Sequence, residues 1–234
     1  VTSLKSRAEE VHKRLLLHYG RPSWRKGLRP LDELVSTVLS QNTNDGNRDR
    51  AFAALRDRFP TWEAVCEADL DSIIDAIRPA GLANLKAPRI RAMLRQIKRE
   101  RGKLELEFLR RLPAQEVWHW LQRFKGVGPK TAAIVMLFGL GLPAFPVDTH
   151  IHRVTGRLGL RPPTASAEKA HQILGDIFAP ESYKEAHLNL IRHGREVCQA
   201  RTPACERCVL QGVCEYYQGR LRAQAAAERN GEAQ

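Results

Sequence analysis

The 234-residue sequence lacks any apolar run long enough to cross a bilayer. Its best candidate, Ala132 to Val147, is broken by Gly139, Gly141, Pro143 and Pro146 and falls short of the roughly 20 residues a spanning helix needs. Two-residue alternation of apolar and polar side chains is also missing, which argues against strands, and no repeat of fixed period argues for a solenoid. No secretory signal is visible, so disulfides are not expected and a cytoplasmic location is. Acidic side chains are in deficit: 26 Asp and Glu face 38 Lys and Arg, a formal net charge of +12. That excess points to a polyanionic partner.

The apolar residues that are present recur at helical spacing. Leu4, Ala8, Val11, Leu15 and Tyr19 form one stripe, with Gly20 as a stop. Pro30 opens the next, through Leu31, Leu34, Val35, Val38 and Leu39. Further stripes follow at Ile73, Ile74 and Ile77, at Ile90, Met93, Leu94 and Ile97, and at Val117, Trp120, Leu121 and Phe124. The expected fold is all-α with short connections. The last stretch, from about Leu221 to Gln234, is rich in Ala, Glu and Arg without an apolar face and is expected to fray or be disordered.

Four of the five cysteines crowd into one short stretch as Cys198-x6-Cys205-x2-Cys208-x5-Cys214. Four thiolates converging from a segment with little regular structure can hold a metal or iron-sulfur centre, whose ligation replaces the core that the segment lacks. Zinc ribbons usually pair two C-x2-C knuckles, and only Cys205-x2-Cys208 is one. Spacing therefore favours iron-sulfur over zinc without deciding between them. Cys66 stands apart and reads as a buried free thiol.

A second motif joins two helices: Phe124-Lys125-Gly126-Val127-Gly128-Pro129-Lys130-Thr131. Gly126 and Gly128 permit positive φ and close approach of another backbone, and Pro129 suits the first turn of the following helix. Amides at such a turn form a site for a phosphate. A nucleotide-binding P-loop is excluded, since that motif needs Gly directly before its Lys and a strand upstream. Further on, Asp148 reads as the N-cap of a helix that carries Ile151, Val154 and Leu158. His150 and His152, two residues apart, point in different directions on a helix and do not suggest a shared metal. One of them is expected to serve packing or a phosphate.

Gly126-Val127-Gly128-Pro129-Lys130-Thr131-Ala132, then Val147-Asp148-Thr149-His150, then the four-cysteine pattern, together resemble the endonuclease III family of helix-hairpin-helix DNA glycosylases. The resemblance spans about Leu31 to Cys214. It implies two helical lobes with a DNA-binding cleft between them: a six-helix barrel at 31–142, a cluster lobe of 1–30 with 143–219, and a tail at 220–234. It implies a [4Fe-4S] cluster on Cys198, Cys205, Cys208 and Cys214. Lys130 is implied as the nucleophile at the sugar C1′ and Asp148 as its carboxylate partner. Gly126, Val127, Gly128, Thr131 and His150 are implied as DNA contacts. Gln41, in Ser40-Gln41-Asn42-Thr43-Asn44-Asp45, would fill the space of an everted nucleotide, and Leu82, in Gly81-Leu82-Ala83-Asn84-Leu85-Lys86, would wedge the opposite strand.

The activity implied is a bifunctional one, an N-glycosylase and abasic-site lyase that removes oxidised pyrimidines through a Schiff base and β-elimination in base excision repair. A monofunctional mismatch glycosylase and a non-catalytic iron-sulfur DNA-binding module are the alternatives. The expected partner is double-stranded DNA with damaged bases or abasic sites, bound by a nucleoid-associated monomer of prokaryotic type and no membrane. Arg192, Arg195, Arg201 and Arg207 are expected to present a basic loop to phosphate, organised by the cluster. The Gln41 to Asp45 loop and Ala83 depart from the loops of well-known bacterial relatives, so the resemblance does not carry over a lesion preference.

Overall fold

A computed structural model describes residues 3–24 and 28–231, and the described residues form helices and turns with no strand. The chain opens with α1 (Leu4–Tyr19), followed by α2 (Pro30–Leu39), α3 (Asp45–Arg58), α4 (Trp62–Glu67) and α5 (Leu70–Ile77). Next come α6 (Ala83–Arg101), α7 (Ala114–Gln122) and α8 (Pro129–Ile134), which widens into a π-helical stretch at Val135–Leu140. The remaining helices are α9 (Thr149–Arg157), α10 (Ala167–Ile177), α11 (Tyr183–Glu196) and α12 (Glu215–Gly231). The all-α expectation holds. The chain divides into two compact units, Arg25–Leu142 and Val1–Trp24 with Pro143–Gln234.

The Arg25–Leu142 unit is built from the stripes read in the sequence. Leu31, Leu34, Val35, Val38 and Leu39 of α2 are buried, as are Ile73 and Ile77 of α5 and Ile90, Met93, Leu94 and Ile97 of α6. At about 25 cal/mol per Å² of apolar surface removed from water, these side chains dominate the stability of the unit. Pro30 occupies the first turn of α2, where its missing N–H costs nothing. Trp120 of α7 stays half-buried at the edge, ring to edge with Phe108 and Phe124 and covered by the Arg123 guanidinium.

The other unit joins α1 to the chain beyond Pro143. Ser3 caps α1 by accepting from the Ser6 amide, and Gly20 ends it at φ 75°. Ala8, Val11 and Leu15 are buried, whereas Leu4 in the first turn remains 43% exposed. Helix α11 packs on both α1 and α9. The approach at α9 is close enough that a Cβ on Gly194 would stand 2.9 Å from the Cβ of His150, so only glycine fits there. Buried histidines pin the extended segment that leads into α9. The Nδ1 atoms of His171 and His187 lie 2.9 and 3.0 Å from the carbonyl oxygens of Phe145 and Pro146. The expected frayed tail is corrected: α12 continues as a helix through Gly231. A run rich in Ala, Glu, Gln and Arg has high helix propensity even without an apolar face. Only residues 232–234 of that tail lie outside the described residues.

Candidate DNA-repair site and iron-sulfur centre

The hairpin lies between α7 and α8. Gly126 takes φ 90°, a conformation that side chains rarely adopt, and Gly128 caps α8 with Pro129 in its first turn. The turn closes through the Val127 amide, which donates to Phe124 O at 3.0 Å. Val127 and Thr131 are buried, whereas Gly128 and Lys130 are exposed. The presentation of amides is therefore narrower than the sequence suggests, because the Val127 N–H is spent inside the turn. The amides of Gly126 and Gly128 make no hydrogen bond among the described residues.

Gln41 is drawn onto this hairpin. Its Nε2 donates to Gly126 O at 2.8 Å and lies 3.3 Å from Thr131 Oγ1. In the free protein the Gln41 amide thus braces the turn, a commitment that its position in a polar loop did not reveal. Leu82 behaves differently. It sits at φ 51°, ψ 34° before α6 with half of its surface exposed, beside an equally open Leu85.

In the other unit, Asp148 is the N-cap that the sequence indicates, with Oδ1 accepting from the Ile151 amide at 2.8 Å. His150 is half-buried, with Nδ1 3.2 Å from Arg153 Nη2. Arg153 continues from there to the carbonyls of Gly194 and Cys198, at 2.8 and 3.0 Å. One turn later, Arg157 donates to Cys198 Sγ at 3.3 Å and to the carbonyls of Gln199 and Ala200. Arg153 and Arg157 lie four residues apart on one face of α9, a spacing that was visible in the sequence but carried no sign of its target.

The four clustered cysteines line one cavity, together with Val154, Leu158, Leu210 and His193. Donors converge on the sulfurs: Arg157 on Cys198, the Leu210 amide on Cys208 at 3.4 Å, and Arg220 near Cys205 at 3.8 Å. His193 Nε2 lies 3.5 Å from Cys208 Sγ, and its Nδ1 lies 3.2 Å from the Tyr19 hydroxyl. Burial pushes the Cys208 thiol up to about 11, with the neighbouring cysteines adding to the rise, and lowers His193 to about 4. A neutral His193 that accepts from Tyr19 at Nδ1 carries its proton on Nε2, aimed at the Cys208 sulfur. Four sulfurs in one apolar pocket, ringed by N–H donors, fit a thiolate-ligated cluster, whose positive irons offset the cost of ionising buried thiols. Cys66, in the other unit, is a free buried thiol as expected.

The expected basic loop is only partly free. Arg192 pairs with Glu196 at 2.9 Å and covers the Tyr19 ring, and Arg207 donates to Glu196 O. Arg195 also has a partner. Arg201 is exposed. The Arg192–Glu196 pair has the i,i+4 spacing that a helix allows, whereas the bond from Arg207 to the Glu196 carbonyl spans eleven residues and left no local sign in the sequence.

A helical fold with this hairpin is the architecture of a class of DNA-repair proteins. Residues 35–180 match the model of the HhH-GPD superfamily of base excision DNA repair proteins, and residues 198–214 match the iron-sulfur binding domain of endonuclease III. Endonuclease III of Sulfolobus acidocaldarius is 34% identical over 79% of this chain and 81% of its own length. A candidate DNA glycosylase of Arabidopsis thaliana is 44% identical over 70% of this chain, which spans 56% of that protein. A trapped endonuclease III–DNA covalent intermediate superposes with a TM-score of 0.79 at 26% identity, over 94% of this chain and all of that one. The chain belongs to the endonuclease III family of base-excision DNA glycosylases, and its four clustered cysteines are that family's [4Fe-4S] binding motif. Among the described residues no helix is long and apolar enough to cross a membrane.

Proposed function

We propose that this chain excises oxidised pyrimidines from duplex DNA as a monomer and then cleaves the strand at the abasic site it has made. The observation that carries this reading is Lys130, an exposed amine at the start of α8, directly after a hairpin whose Gly126 and Gly128 amides are free to take a phosphate. The unprotonated amine attacks C1′ of the sugar, the C1′–N bond breaks, and the base leaves with the bonding electrons. Loss of the amine proton and opening of the sugar ring give an iminium, and removal of a C2′ proton then expels the 3′ phosphate by β-elimination. Asp148 serves as the carboxylate. Its Oδ1 is fixed by the Ile151 amide, which leaves Oδ2 to accept a proton and both oxygens to stabilise positive charge developing at the sugar. The cluster held by Cys198, Cys205, Cys208 and Cys214 supplies the cross-link that orders the 198–214 segment.

His150, whose Nδ1 faces Arg153, serves as a DNA contact, and Leu82 and Gln41 probe the duplex, Gln41 after leaving Gly126. Reductive trapping tests the assignment. With borohydride, the native protein forms a covalent complex with abasic or lesion DNA, and Lys130→Gln abolishes trapping while DNA binding persists. Base release with an intact strand, broken only by added alkali, points instead to a monofunctional mismatch glycosylase. Binding with no base release points to a non-catalytic module.

A further inference from the structure

One buried charge in the Arg25–Leu142 unit has no place in the chemistry above. Lys86, in the first turn of α6, is 2% exposed. Its Nζ donates to Leu39 O at 2.7 Å and to Ala80 O at 2.9 Å. Leu39 is the last residue of α2 and Ala80 the last of the short 3-10 turn Arg78–Ala80. Carbonyls at helix ends have no partner within the helix, and the negative end of a helix dipole favours a cation. A single ammonium therefore caps two chain ends that are far apart in sequence. Among the described residues no carboxylate compensates it, and burial alone lowers its pKa. An apolar residue would fill the same space without the cost of desolvating a charge.

Each capped end runs directly into a strained turn. Beyond Leu39 the chain passes Ser40 and Gln41 to Asn42 at φ 54°, and beyond Ala80 it passes Gly81 to Leu82 at φ 51°. Asn42 and Leu82 are the only non-glycine residues at positive φ among the described residues. Asn tolerates that conformation through local hydrogen bonding, but Leu does not. A leucine held in this conformation with half of its surface in solvent is displayed rather than packed.

We infer that Lys86 is a positioning residue: its ammonium locks the turn carrying Gln41 to the turn carrying Leu82, so that both side chains enter the duplex together as the nucleotide leaves it. This rests on the reading of Gln41 and Leu82 as the residues that probe DNA. Gln41 extends the same link to the hairpin through Gly126 and Thr131. Loosening the clamp therefore impairs eversion of the nucleotide, while the chemistry at Lys130 stays intact.

Lys86→Met tests this with two substrates under single-turnover conditions. One is a lesion duplex with 2-aminopurine opposite the lesion, whose fluorescence rises when a side chain displaces its stacking. The other is a single-stranded oligonucleotide with a preformed abasic site, in which no base pair has to open. In Lys86→Met the fluorescence rise is lost and base release from the duplex falls on the order of 10- to 100-fold. Cleavage of the single strand is unchanged. Equal losses on both substrates, or no loss on either, overturn the clamp. Leu82→Gly with Lys86 intact separates the two layers: if it retains the fluorescence rise, the wedge reading itself fails. If it loses the rise while Lys86→Met keeps it, only the clamp fails. Should Lys86→Met not fold, Lys86→Arg, which keeps the charge but moves the donors, is read by the same outcomes.

Discussion

Helix α6 and the segment 198–214 are of similar length but owe their order to different forces. Helix α6 buries Ala87, Ile90, Met93, Leu94 and Ile97 on one side, so exclusion of water holds it in place. The 198–214 segment has only two short 3-10 turns, Cys205–Arg207 and Gln211–Val213, and buries little besides Cys205 and Leu210. Its shape depends on thiols and on backbone carbonyls gathered by arginines. One segment is thus stable by its own composition, and the other is stable through what it binds.

Removing the metal should therefore separate the two most sharply. Purified protein is expected to be yellow-brown with about four irons per chain. Cys208→Ala, or exhaustive chelation, should bleach it and let the 198–214 amides exchange with solvent at nearly unfolded rates, while α6 amides stay protected. Continued protection of 198–214 in iron-free protein would mean that side-chain packing alone orders it. The converse mutation is next in size. Ile90→Ala should cost about 2–5 kcal/mol in denaturant unfolding through the cavity it leaves, with the colour of the folded protein unchanged.

Acid should distinguish the two units more gently. Seven of the eight histidines, all but His119, belong to the unit formed by Val1–Trp24 and Pro143–Gln234. Burial holds His12 below its ordinary value of 6.5 and His193 down to about 4, so the fold keeps both neutral. The unfolded chain takes up the His193 proton as pH falls through 6.5, whereas the folded chain refuses it until about 4, and His12 is shifted in the same direction. The unfolded state binds more protons in that window, so stability is full above 6.5 and declines toward 4. Hydrogen exchange across this range, with iron content followed in parallel, should show α1 and α11 loosening before α2 and α6. Simultaneous loosening of all four helices would remove the distinction.

Much of this was legible in the sequence because helical periodicity, hairpin punctuation and cysteine spacing are local signals. Asp148 as a cap, the stripes of α2 and α6 and the cluster ligands all follow from residues a few positions apart. The contacts that escaped are long-range. Lys86 looks like an ordinary helix lysine until Leu39 and Ala80 are seen to meet its amine, and Gln41 looks solvent-facing until Gly126 is seen to receive it. The helical α12 was missed for the opposite reason: propensity can sustain a helix without the apolar face by which helices were recognised.

The smallest stability effect concerns the residue with two duties. Asp148 caps α9 and, as proposed, carries catalytic charge, so one substitution cannot tell the roles apart. Asn is as good a cap as Asp, whereas Ala loses the bond to the Ile151 amide at a cost of about 1 kcal/mol. Asp148→Ala should thus lower the unfolding free energy by that amount, and Asp148→Asn by a few tenths at most. Both should slow base release on the order of 100-fold, since neither supplies an anionic oxygen. If Asp148→Asn keeps native rates while Asp148→Ala does not, the carboxylate acts only by holding the start of α9, and the proton acceptor must be sought elsewhere.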